Sequence, residues 1–492
     1  MTLKSFSKLE ALIPGLLRDL ETPGLAVAAI KDDAVVYAAG FGTRTLDRAE
    51  AVDGNTLFAI ASMSKSTAGL CLAMLVDEGR LDWNDRVIDY LPDFALADAY
   101  ATREIRVRDL LMHNSGLPEV SGGTVWYGSE YSREEVVRRM RWLRPQVSFR
   151  GGFAYQNICY LVAAQVIKAV SGESWDDMVT RRVFAPLKMT RTRSTWAAAS
   201  EMDNLAAPHA LLRGQIQTIA HRSHDNLGPG ASIYSSAWDL AQYARLFING
   251  GRLDGQQLVA APVFEQLTTP QIAAPLPNYG PHWGRLNPNF RSYGYGWYLV
   301  DYAGMKMVYH SGGVDGFRGQ ICFVPEKKAG VVVLCNQESR EAYISVLLTV
   351  MDSLLGLQPF DWAAAAHLEN QKTHESVQAR QKAFESSRVT GTRPSLSNAD
   401  YCGVYADKLY GAVNVVEESG HMVLAFNKTP AFTADLEHWH YDTFLLKWRD
   451  PYIPDGLLSF PLNSHGLPTR LVFDQPNLLD VDFNELDLKR ME

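Results

Sequence analysis

The sequence predicts an α+β protein in two parts: an antiparallel sheet flanked by helices with an inserted helical subdomain, and then a small antiparallel β-barrel. Three observations lead to this prediction. The chain has 492 residues, more than one core usually holds. Strand-like runs stand at both ends of its first two thirds, with helical periodicity between them. Short β-like runs separated by turn residues fill its C-terminal part.

The first domain is predicted to span residues 1–360. Apolar, β-rich runs at 24–30 and 34–37 surround a tight polar turn and indicate a hairpin. Strand character returns between residues 295 and 334, whereas 62–79 and 158–170 have helical spacing. We therefore expect one sheet assembled from both ends of this domain, with helices inserted between them.

A change of composition marks the predicted boundary between the domains. Residues 361–394 are polar and helix-prone and end on a Gly-Thr-Arg-Pro turn, which predicts a helical linker. Residues 395–492 contain short β-like runs with regularly spaced turns, and this rhythm predicts a small antiparallel barrel.

Charge, cysteine usage and hydropathy exclude several classes of protein. The 47 basic and 55 acidic residues give a net charge of −8 without long runs of one sign, so we expect no nucleic-acid partner. The five cysteines are scattered without a Cys-x-x-Cys pair, which disfavours a disulfide framework and a thiolate metal cage. The N-terminus lacks the apolar stretch of a secretory signal, and no run has the length of a membrane helix. We predict a cytoplasmic protein with no membrane partner.

Two histidine-containing segments are candidates for metal binding. They are 221–225, which reads His-Arg-Ser-His-Asp, and 438–440, which reads His-Trp-His. Neither has a third ligand at helical spacing, so exposed polar residues are the simpler interpretation. Walker and dinucleotide-binding motifs are missing from the sequence. We predict neither a metal ion nor another cofactor.

The strongest chemical signal is Ser62-Met63-Ser64-Lys65 at the start of a predicted helix. Residues three apart share a helix face, and the helix N-terminus favours a developing alkoxide. An amine in this position can take the serine proton. The pattern alone is weak, because the leading amphipathic helix contains another match at residues 5–8, and Ser62 also suits a helix N-cap.

Two further segments carry polar groups beside predicted elements. Tyr155 and Asn157 follow a glycine pair at the start of a helix. A histidine at 310 ends a strand-like run and precedes Ser311, Gly312 and Gly313, and the glycines allow a substrate to approach the backbone. Taken singly, each has another interpretation: a half-buried tyrosine, a helix cap and a core histidine.

In chain order, three motifs resemble the signature elements of the serine β-lactamase and penicillin-binding-protein superfamily: Ser62-x-x-Lys65, Tyr155-x-Asn157 and His310-x-Gly312. The likeness is closest to the class C branch, with its DD-carboxypeptidases, D-aminopeptidases and β-lactamase-like esterases. Segments 110–118, 228–240 and 293–297 also look like this branch. The C-terminal domain is similar to the lipocalin-like barrel of self-compartmentalising archaeal serine peptidases, which implies a homo-oligomer.

The resemblance implies roles for the motif residues. Ser62 would be the acylated nucleophile, and Lys65 and Tyr155 the proton-transfer pair, either of which is open as the base. The backbone N–H groups of Ser62 and Gly313 would form the oxyanion hole. Two further catalytic residues are implied: Asn157, which would orient Lys65 and the substrate amide, and His310. The implied substrate contacts are Asn157, Ser311, Gly312 and Gly313.

The resemblance implies a serine hydrolase that cleaves amide or ester bonds of small substrates or short peptides through an acyl-enzyme. Members that hydrolyse β-lactams carry lysine where this chain has His310, so β-lactams are disfavoured. We expect a peptidase, D-stereospecific aminopeptidase and carboxypeptidase activities included. Carboxylesterase and acyltransferase are the alternatives, followed by β-lactamase and a non-catalytic binding protein.

Overall fold

The structure is a computed structural model that describes residues 3–277 and 279–491. These residues divide into two units. The first is formed by the chain up to Phe94, by Tyr100–Gly116 and by Val147–Thr373. The second is formed by Ala95–Ala99, by Leu117–Gln146 and by the chain from His374 onward. The second unit therefore includes two segments, 95–99 and 117–146, that the sequence analysis assigns to the first domain.

The strands, in chain order, are β1 (Gly24–Lys31), β2 (Ala34–Gly42), β3 (Phe58–Ala59), β4 (His209–Leu212), β5 (Gln215–Thr218), β6 (Tyr234–Ser235), β7 (Arg252–Leu253), β8 (Gln256–Gln257), β9 (Ile272–Ala273), β10 (Arg291–Tyr293), β11 (Tyr298–Tyr302), β12 (Met305–Val314), β13 (Phe317–Val324), β14 (Ala329–Cys335), β15 (Gly403–Asp407), β16 (Gly411–Glu418), β17 (His421–Phe426), β18 (Thr433–His440), β19 (Thr443–Trp448), β20 (Gly456–Ser459), β21 (Val472–Asp474) and β22 (Lys489–Arg490).

The α-helices are α1 (Leu3–Asp19), α2 (Lys65–Asp77), α3 (Val87–Tyr90), α4 (Ala99–Glu104), α5 (Val107–Leu111), α6 (Gly123–Trp126), α7 (Arg133–Arg139), α8 (Ile158–Ser171), α9 (Trp175–Val179), α10 (Trp196–Ala199), α11 (Ala237–Ile248), α12 (Ala261–Leu267), α13 (Arg340–Leu355), α14 (Trp362–Ser386) and α15 (Asn398–Tyr401). Shorter 3-10 helices lie at Ala61–Ser64, Met140–Trp142, Asp225–Gly230, Pro281–Leu286, Pro325–Lys327 and Phe483–Glu485, and a π-helix at Thr180–Phe184.

The first unit is built on an eight-stranded antiparallel sheet in the order β2-β1-β14-β13-β12-β11-β10-β9. Its N-terminal strand β1 pairs with β14, with Leu25 opposite Cys335. Helices α1, α11 and α13 pack against this sheet, and β14 is buried along its whole length. The continuous apolar runs of β1 and β14 follow from burial on both faces. The predicted α+β fold, with a sheet assembled from both ends of the domain, is confirmed.

The hairpin predicted near the N-terminus consists of β1 and β2, which are joined by Asp32 and Asp33. Both aspartates have positive φ, 49° and 65°. Two such central residues match the right-handed twist of the flanking strands. Aspartate tolerates this conformation better than most residues, which explains the polar turn.

Strand β12 is longer than the sequence predicted, and this difference bears on the site. The prediction ended the strand at His310, but β12 continues to Val314. Its ladder with β13 extends over the whole of 308–314, whereas its ladder with β11 stops at Tyr309. Glycine pairs are rare inside strands, so the sequence pattern hid this extension.

The second unit contains a curled, open eight-stranded antiparallel sheet in the order β21-β20-β19-β18-β17-β16-β15-β22. The predicted antiparallel barrel is therefore present as a half-barrel. Strand β18 contains the two histidines of the second candidate metal-binding segment. It alternates buried apolar with more exposed polar residues, as a strand with one solvated face does.

Helix α14 lies in the segment that the sequence analysis assigns to a helical linker, 361–394. Most of its residues are exposed, and its buried ones, such as Trp362, lie near its N-terminus. Among residues 3–277 and 279–491, no helix combines the length and apolar character needed to cross a bilayer.

Candidate active site

Ser62 lies in the 3-10 helix Ala61–Ser64, between β3 and α2. Ala61 has a φ of 48°, in the left-handed region that residues other than glycine rarely adopt. The N-cap position of α2 is occupied by Ser64 rather than Ser62, and no side chain caps this helix. Ser62 therefore has no capping role, and its hydroxyl contacts Lys65 instead.

The Lys65 amine is completely buried at the N-terminus of α2. Its Nζ lies 3.0 Å from Ser62 Oγ, and it donates hydrogen bonds of 2.7 Å to Asn157 Oδ1 and to the Gly230 carbonyl oxygen. Nζ also lies 4.8 Å from the centre of the Tyr155 ring. The first two motifs predicted from the sequence thus meet at this one nitrogen atom.

The contacts of Lys65 Nζ are compatible with two protonation states. Asn157 Oδ1 and the Gly230 carbonyl only accept hydrogen bonds, so each takes one N–H of the amine. The Ser62 hydroxyl can both donate and accept. A neutral amine would accept the Ser62 proton on its lone pair, whereas an ammonium group would donate to Ser62 Oγ. The arrangement is therefore suited to moving a proton between Oγ and Nζ.

Tyr155 and Asn157 lie immediately before α8. Asn157 occupies the N-cap position of this helix, but its side chain makes no capping hydrogen bond, because its oxygen accepts from Lys65. The helix-cap interpretation of Asn157 is therefore wrong for its side chain. Tyr155 is half-buried, with its ring beside both Lys65 and His113.

His113 holds the Tyr155 segment by two hydrogen bonds to its backbone and one ring contact. Its carbonyl oxygen accepts a 2.7 Å hydrogen bond from Ala154 N–H, and its Nδ1 accepts a 3.0 Å bond from Gln156 N–H. Its ring stacks on that of Tyr155 with centroids 4.1 Å apart. Burial, with smaller contributions from Lys65 and His310, holds the pKa of His113 well below its usual value. The neutral ring is consistent with an Nδ1 that accepts.

His310 lies in β12 and is buried. Its Nε2 is 2.9 Å from Tyr293 Oη, and its Nδ1 is 2.7 Å from the Ser311 carbonyl oxygen. Burial and, to a lesser degree, repulsion from Lys65 lower the pKa of His310 to about 3. The residue is neutral near pH 7 and donates from Nδ1 to Ser311 while accepting from Tyr293.

Strand β12 passes very close to the segment that carries Ser62. A Cβ added to Gly312 would lie 2.0 Å from the Ile60 carbonyl oxygen, so a side chain is excluded there. A Cβ on the next residue, Gly313, would lie 1.7 Å from Arg318 Nη1. Residues 310–314 of β12 do not pair with β11, because that ladder ends at Tyr309.

The candidate metal-binding histidines have other environments. His438 Nε2 is 3.1 Å from the Tyr441 carbonyl oxygen, and His440 Nδ1 accepts a hydrogen bond from Val389 N–H. The His221 ring stacks on Trp196 at 4.3 Å. Within residues 3–277 and 279–491, no group of three metal-ligating side chains comes together.

The sequence analysis quoted some residues of this site without assigning them a role. His113 and Gly230 lie in segments that support the family resemblance, yet neither was named as a site residue. Gly230 acts through its carbonyl oxygen, which no side-chain motif can indicate. Tyr293 and Tyr160 extend the contacts of His310, because their hydroxyl oxygens are 3.3 Å apart. For His113 the available signal was a polar side chain just after a helix, α5.

Comparison with known proteins identifies the family of the chain. The family model described as beta-lactamase matches residues 9–352, and a domain of unknown function, DUF3471, matches residues 387–490. Unguisins hydrolase ungD of Aspergillus violaceofuscus is 25% identical over 451 residues, which cover 83% of this chain and 76% of that protein. Protein flp of Staphylococcus aureus strain COL is 25% identical over 346 residues, which cover 69% of this chain and 64% of that protein.

Two solved structures have the same fold. The octameric penicillin-binding protein homologue from Pyrococcus abyssi superposes with a TM-score of 0.62 at 22% identity, over 99% of this chain and 100% of that one. A D-stereospecific amidohydrolase from Streptomyces superposes with a TM-score of 0.56 at 18% identity, over 70% of this chain and 97% of that one. Because the family model covers most of its length, the chain belongs to the beta-lactamase family and is a serine hydrolase of the β-lactamase-like fold.

Proposed function

We propose that the protein hydrolyses amide bonds of small substrates or short peptides, D-configured residues included, through an acyl-enzyme on Ser62. The observation that carries this proposal is the position of Lys65 Nζ, 3.0 Å from Ser62 Oγ and held by two acceptor-only oxygens. A nucleophile within hydrogen-bond reach of an oriented base is the arrangement that covalent catalysis requires.

In the acylation step, Ser62 Oγ attacks the substrate carbonyl carbon, and Lys65 Nζ accepts the hydroxyl proton. Ser62 is the second residue of a 3-10 helix, so its N–H has no intrahelical acceptor. This N–H and that of Gly313 are the proposed donors to the tetrahedral oxyanion. The C–N bond then breaks, and the leaving amine takes a proton that passes through Tyr155.

Deacylation repeats these steps with water. Water attacks the Ser62 ester while the Lys65 and Tyr155 pair removes its proton, and the returning proton regenerates the Ser62 hydroxyl. The product is a carboxylic acid. Asn157 keeps Lys65 oriented throughout, and the neutral His310 fixes β12 beside the site through Tyr293.

The neutral charge state of His310 supports peptide-like amide substrates over β-lactams. A lysine at this place would supply a cation for a substrate carboxylate, but His310 is neutral and both its nitrogens have partners within the protein. The name of one similar protein, a D-stereospecific amidohydrolase, points the same way.

The test is a substrate panel of D- and L-aminoacyl p-nitroanilides, p-nitrophenyl esters and nitrocefin. We expect turnover of anilides and esters, slow or no turnover of nitrocefin, and labelling of Ser62 by a fluorophosphonate probe in peptide mass spectrometry. Adding an acceptor amine measures any acyl transfer. If only esters are cleaved, the enzyme is a carboxylesterase.

Two serine variants provide the matched control. Ser62→Ala should abolish turnover and labelling, whereas Ser5→Ala, in the second Ser-x-x-Lys pattern, should leave both unchanged. An active Ser62→Ala protein would refute the mechanism.

We also infer that the protein assembles into homo-oligomers in the cytoplasm. The octameric state of the Pyrococcus abyssi homologue, which aligns with nearly the whole chain, supports assembly. Five cysteines present as free thiols, four of them buried, suit a reducing compartment. Light scattering coupled to gel filtration measures the assembly, and a monomeric mass at micromolar concentration would contradict it.

A further inference from the structure

Residues 117–146 leave the first unit and return to it at two neighbouring points of the chain. Val147 N–H donates to the Gly116 carbonyl oxygen at 3.4 Å, and Arg150 N–H donates to the Asn114 carbonyl oxygen at 2.9 Å. The next hydrogen bond in this series joins Ala154 to His113, whose ring stacks on Tyr155. We call residues 117–146 the insert. Both of its ends therefore continue directly into backbone that carries the candidate active site.

The insert itself belongs to the second unit. Tyr127 stacks on Phe432 with ring centroids 5.6 Å apart, and Glu130 N–H donates to the Lys428 carbonyl oxygen at 2.7 Å. Arg139 donates to the carbonyl oxygens of residues 408 and 409 at 3.0 and 2.5 Å. Each partner lies in a loop between strands of the C-terminal half-barrel, so the insert and the half-barrel belong to one folded unit.

The insert also contacts the segment between β21 and β22. A Cβ on Gly123 would lie 2.0 Å from the Asp480 carbonyl oxygen, so the two backbones touch. The Glu485 carboxylate accepts a 2.5 Å bond from Ser121 Oγ–H and a 2.8 Å bond from Gly122 N–H. It also accepts a hydrogen bond from the Tyr410 hydroxyl.

The environment of Glu485 explains why this contact is specific. Burial raises the pKa of the Glu485 carboxyl, and the bonds from Ser121, Gly122 and Tyr410 act in the opposite direction. If this carboxylate is removed, its buried hydrogen-bond donors lose their acceptor, and leaving a buried donor unpaired costs free energy. Gly122 directly precedes α6, so the carboxylate also lies at the start of that turn.

We propose that Glu485 is a positioning residue, through which the C-terminal domain of unknown function holds the insert and thereby the His113 and Tyr155 segments at the insert's two ends. This inference rests on the proposed function, because it assigns the domain a role in the hydrolysis at Ser62. The domain is thus a part of the enzyme rather than an independent appendage.

The physical reason is loop closure. While the half-barrel holds the insert, Gly116 and Val147 stay adjacent without a further loss of chain entropy. When the Glu485 contacts open, the part of the insert that follows Gly116 gains freedom at residues 121 and 122. The hydrogen bonds that join the two ends of the insert must then hold that end in place with less support. Opening therefore weakens the placement of Tyr155 beside Lys65.

The experiment compares Glu485→Leu with Glu485→Gln and with Glu437→Gln, a change of an exposed glutamate on β18. Leucine removes every acceptor at this position. Glutamine keeps an oxygen for Gly122 N–H, and the two hydroxyl groups can turn to accept from its amide. We expect Glu485→Leu to lower kcat on a p-nitrophenyl ester about tenfold or more with little change in KM. Glu485→Gln should recover most of this loss, and Glu437→Gln should match the unchanged protein.

Hydrogen exchange separates the positioning role from a merely structural one. Glu485→Leu should speed exchange at amides 121–127 and also at amides 154–156. Faster exchange confined to 121–127, with kcat unchanged, would overturn the proposal. The proposed function fails separately: if the unchanged protein hydrolyses nothing and Ser62 is not labelled by a fluorophosphonate, that function is wrong, whereas exchange still reports whether Glu485 holds both ends of the insert.

Discussion

At the scale of single residues, Lys65 illustrates how burial and hydrogen bonding prepare a base. Its amine is buried and oriented by Asn157 and Gly230, both neutral acceptors, and it faces Ser62 along a third direction. Neutral acceptors favour the ammonium form much less than a carboxylate would. The choice of asparagine at position 157 therefore matters for the charge on Lys65 as well as for its position.

Replacing Asn157 by aspartate tests this argument. A carboxylate at the position now 2.7 Å from Nζ would favour the ammonium form of Lys65, which cannot accept the Ser62 proton. We expect kcat/KM to fall by about 100-fold or more near neutral pH, in line with the loss of a general base. The acid limb of the pH profile should move to higher pH, because deprotonation of Lys65 then needs a more alkaline solution.

Asn157→Ala is the control for this substitution. It removes the acceptor without adding a charge, so it should lower kcat/KM without moving the acid limb to higher pH. Equal profiles for the two variants would show that charge at position 157 is unimportant.

At the scale of elements, the approach of β12 to the Ser62 segment depends on the absence of a side chain at Gly312. The polar residues of the site come from separate elements: the 3-10 helix before α2, the turn before α8, the 3-10 helix that ends at Gly230, and β12. Their order along the chain and their residue types could be predicted from motifs. The convergence of three groups on Lys65 Nζ, one of them the Gly230 carbonyl, depends on tertiary contacts that local patterns do not encode.

Gly312→Ala should disturb both stability and activity. The added Cβ would lie 2.0 Å from the Ile60 carbonyl oxygen, and backbone atoms cannot move aside as a flexible side chain would. We expect the free energy of unfolding to fall by about 1–3 kcal/mol, as overpacking typically costs. A displacement of β12 of about 1 Å should also lower kcat/KM by about 100-fold.

Gly15→Ala in α1 is the matched control, because a Cβ there meets only the far end of a flexible arginine at 3.7 Å. It should leave kcat/KM unchanged and raise the free energy of unfolding by up to about 1 kcal/mol, since alanine is the better helix former. Unfolding in urea and steady-state kinetics measure both quantities. A Gly312→Ala enzyme as active as Gly15→Ala would contradict the close approach.

At the scale of the whole molecule, the antiparallel sheet and the C-terminal sheet were predictable, and the path of the insert was not. Apolar runs and turn residues are local signals, so they indicated β1, β14 and most strands of the half-barrel. The membership of residues 117–146 in the second unit rests on contacts with residues more than 250 positions away, such as those of Ser121 with Glu485 and Tyr127 with Phe432. No periodicity records such contacts.

Buried neutral histidines also act on the molecule as a whole, because they link its stability to pH. Burial lowers the pKa of His310 to about 3 and that of His221 to about 4, and it places His113 well below its usual value. Two carboxyl groups have the opposite effect on stability. Burial raises the pKa values of Asp239 and Glu485, so the folded protein binds these protons more readily than the unfolded chain does as pH falls.

Comparing the unchanged protein with His310→Gln isolates one of these contributions. Between the unfolded pKa of 6.5 and the folded value of about 3, the unfolded chain binds a proton at residue 310 that the folded protein does not. The free energy of unfolding therefore falls as pH decreases through this window. Relative to His310→Gln, the unchanged protein should lose about 1.4 kcal/mol per pH unit between about pH 5.5 and 4. Urea unfolding at several pH values measures both slopes, and parallel slopes would mean that His310 binds its proton equally in the folded and unfolded states.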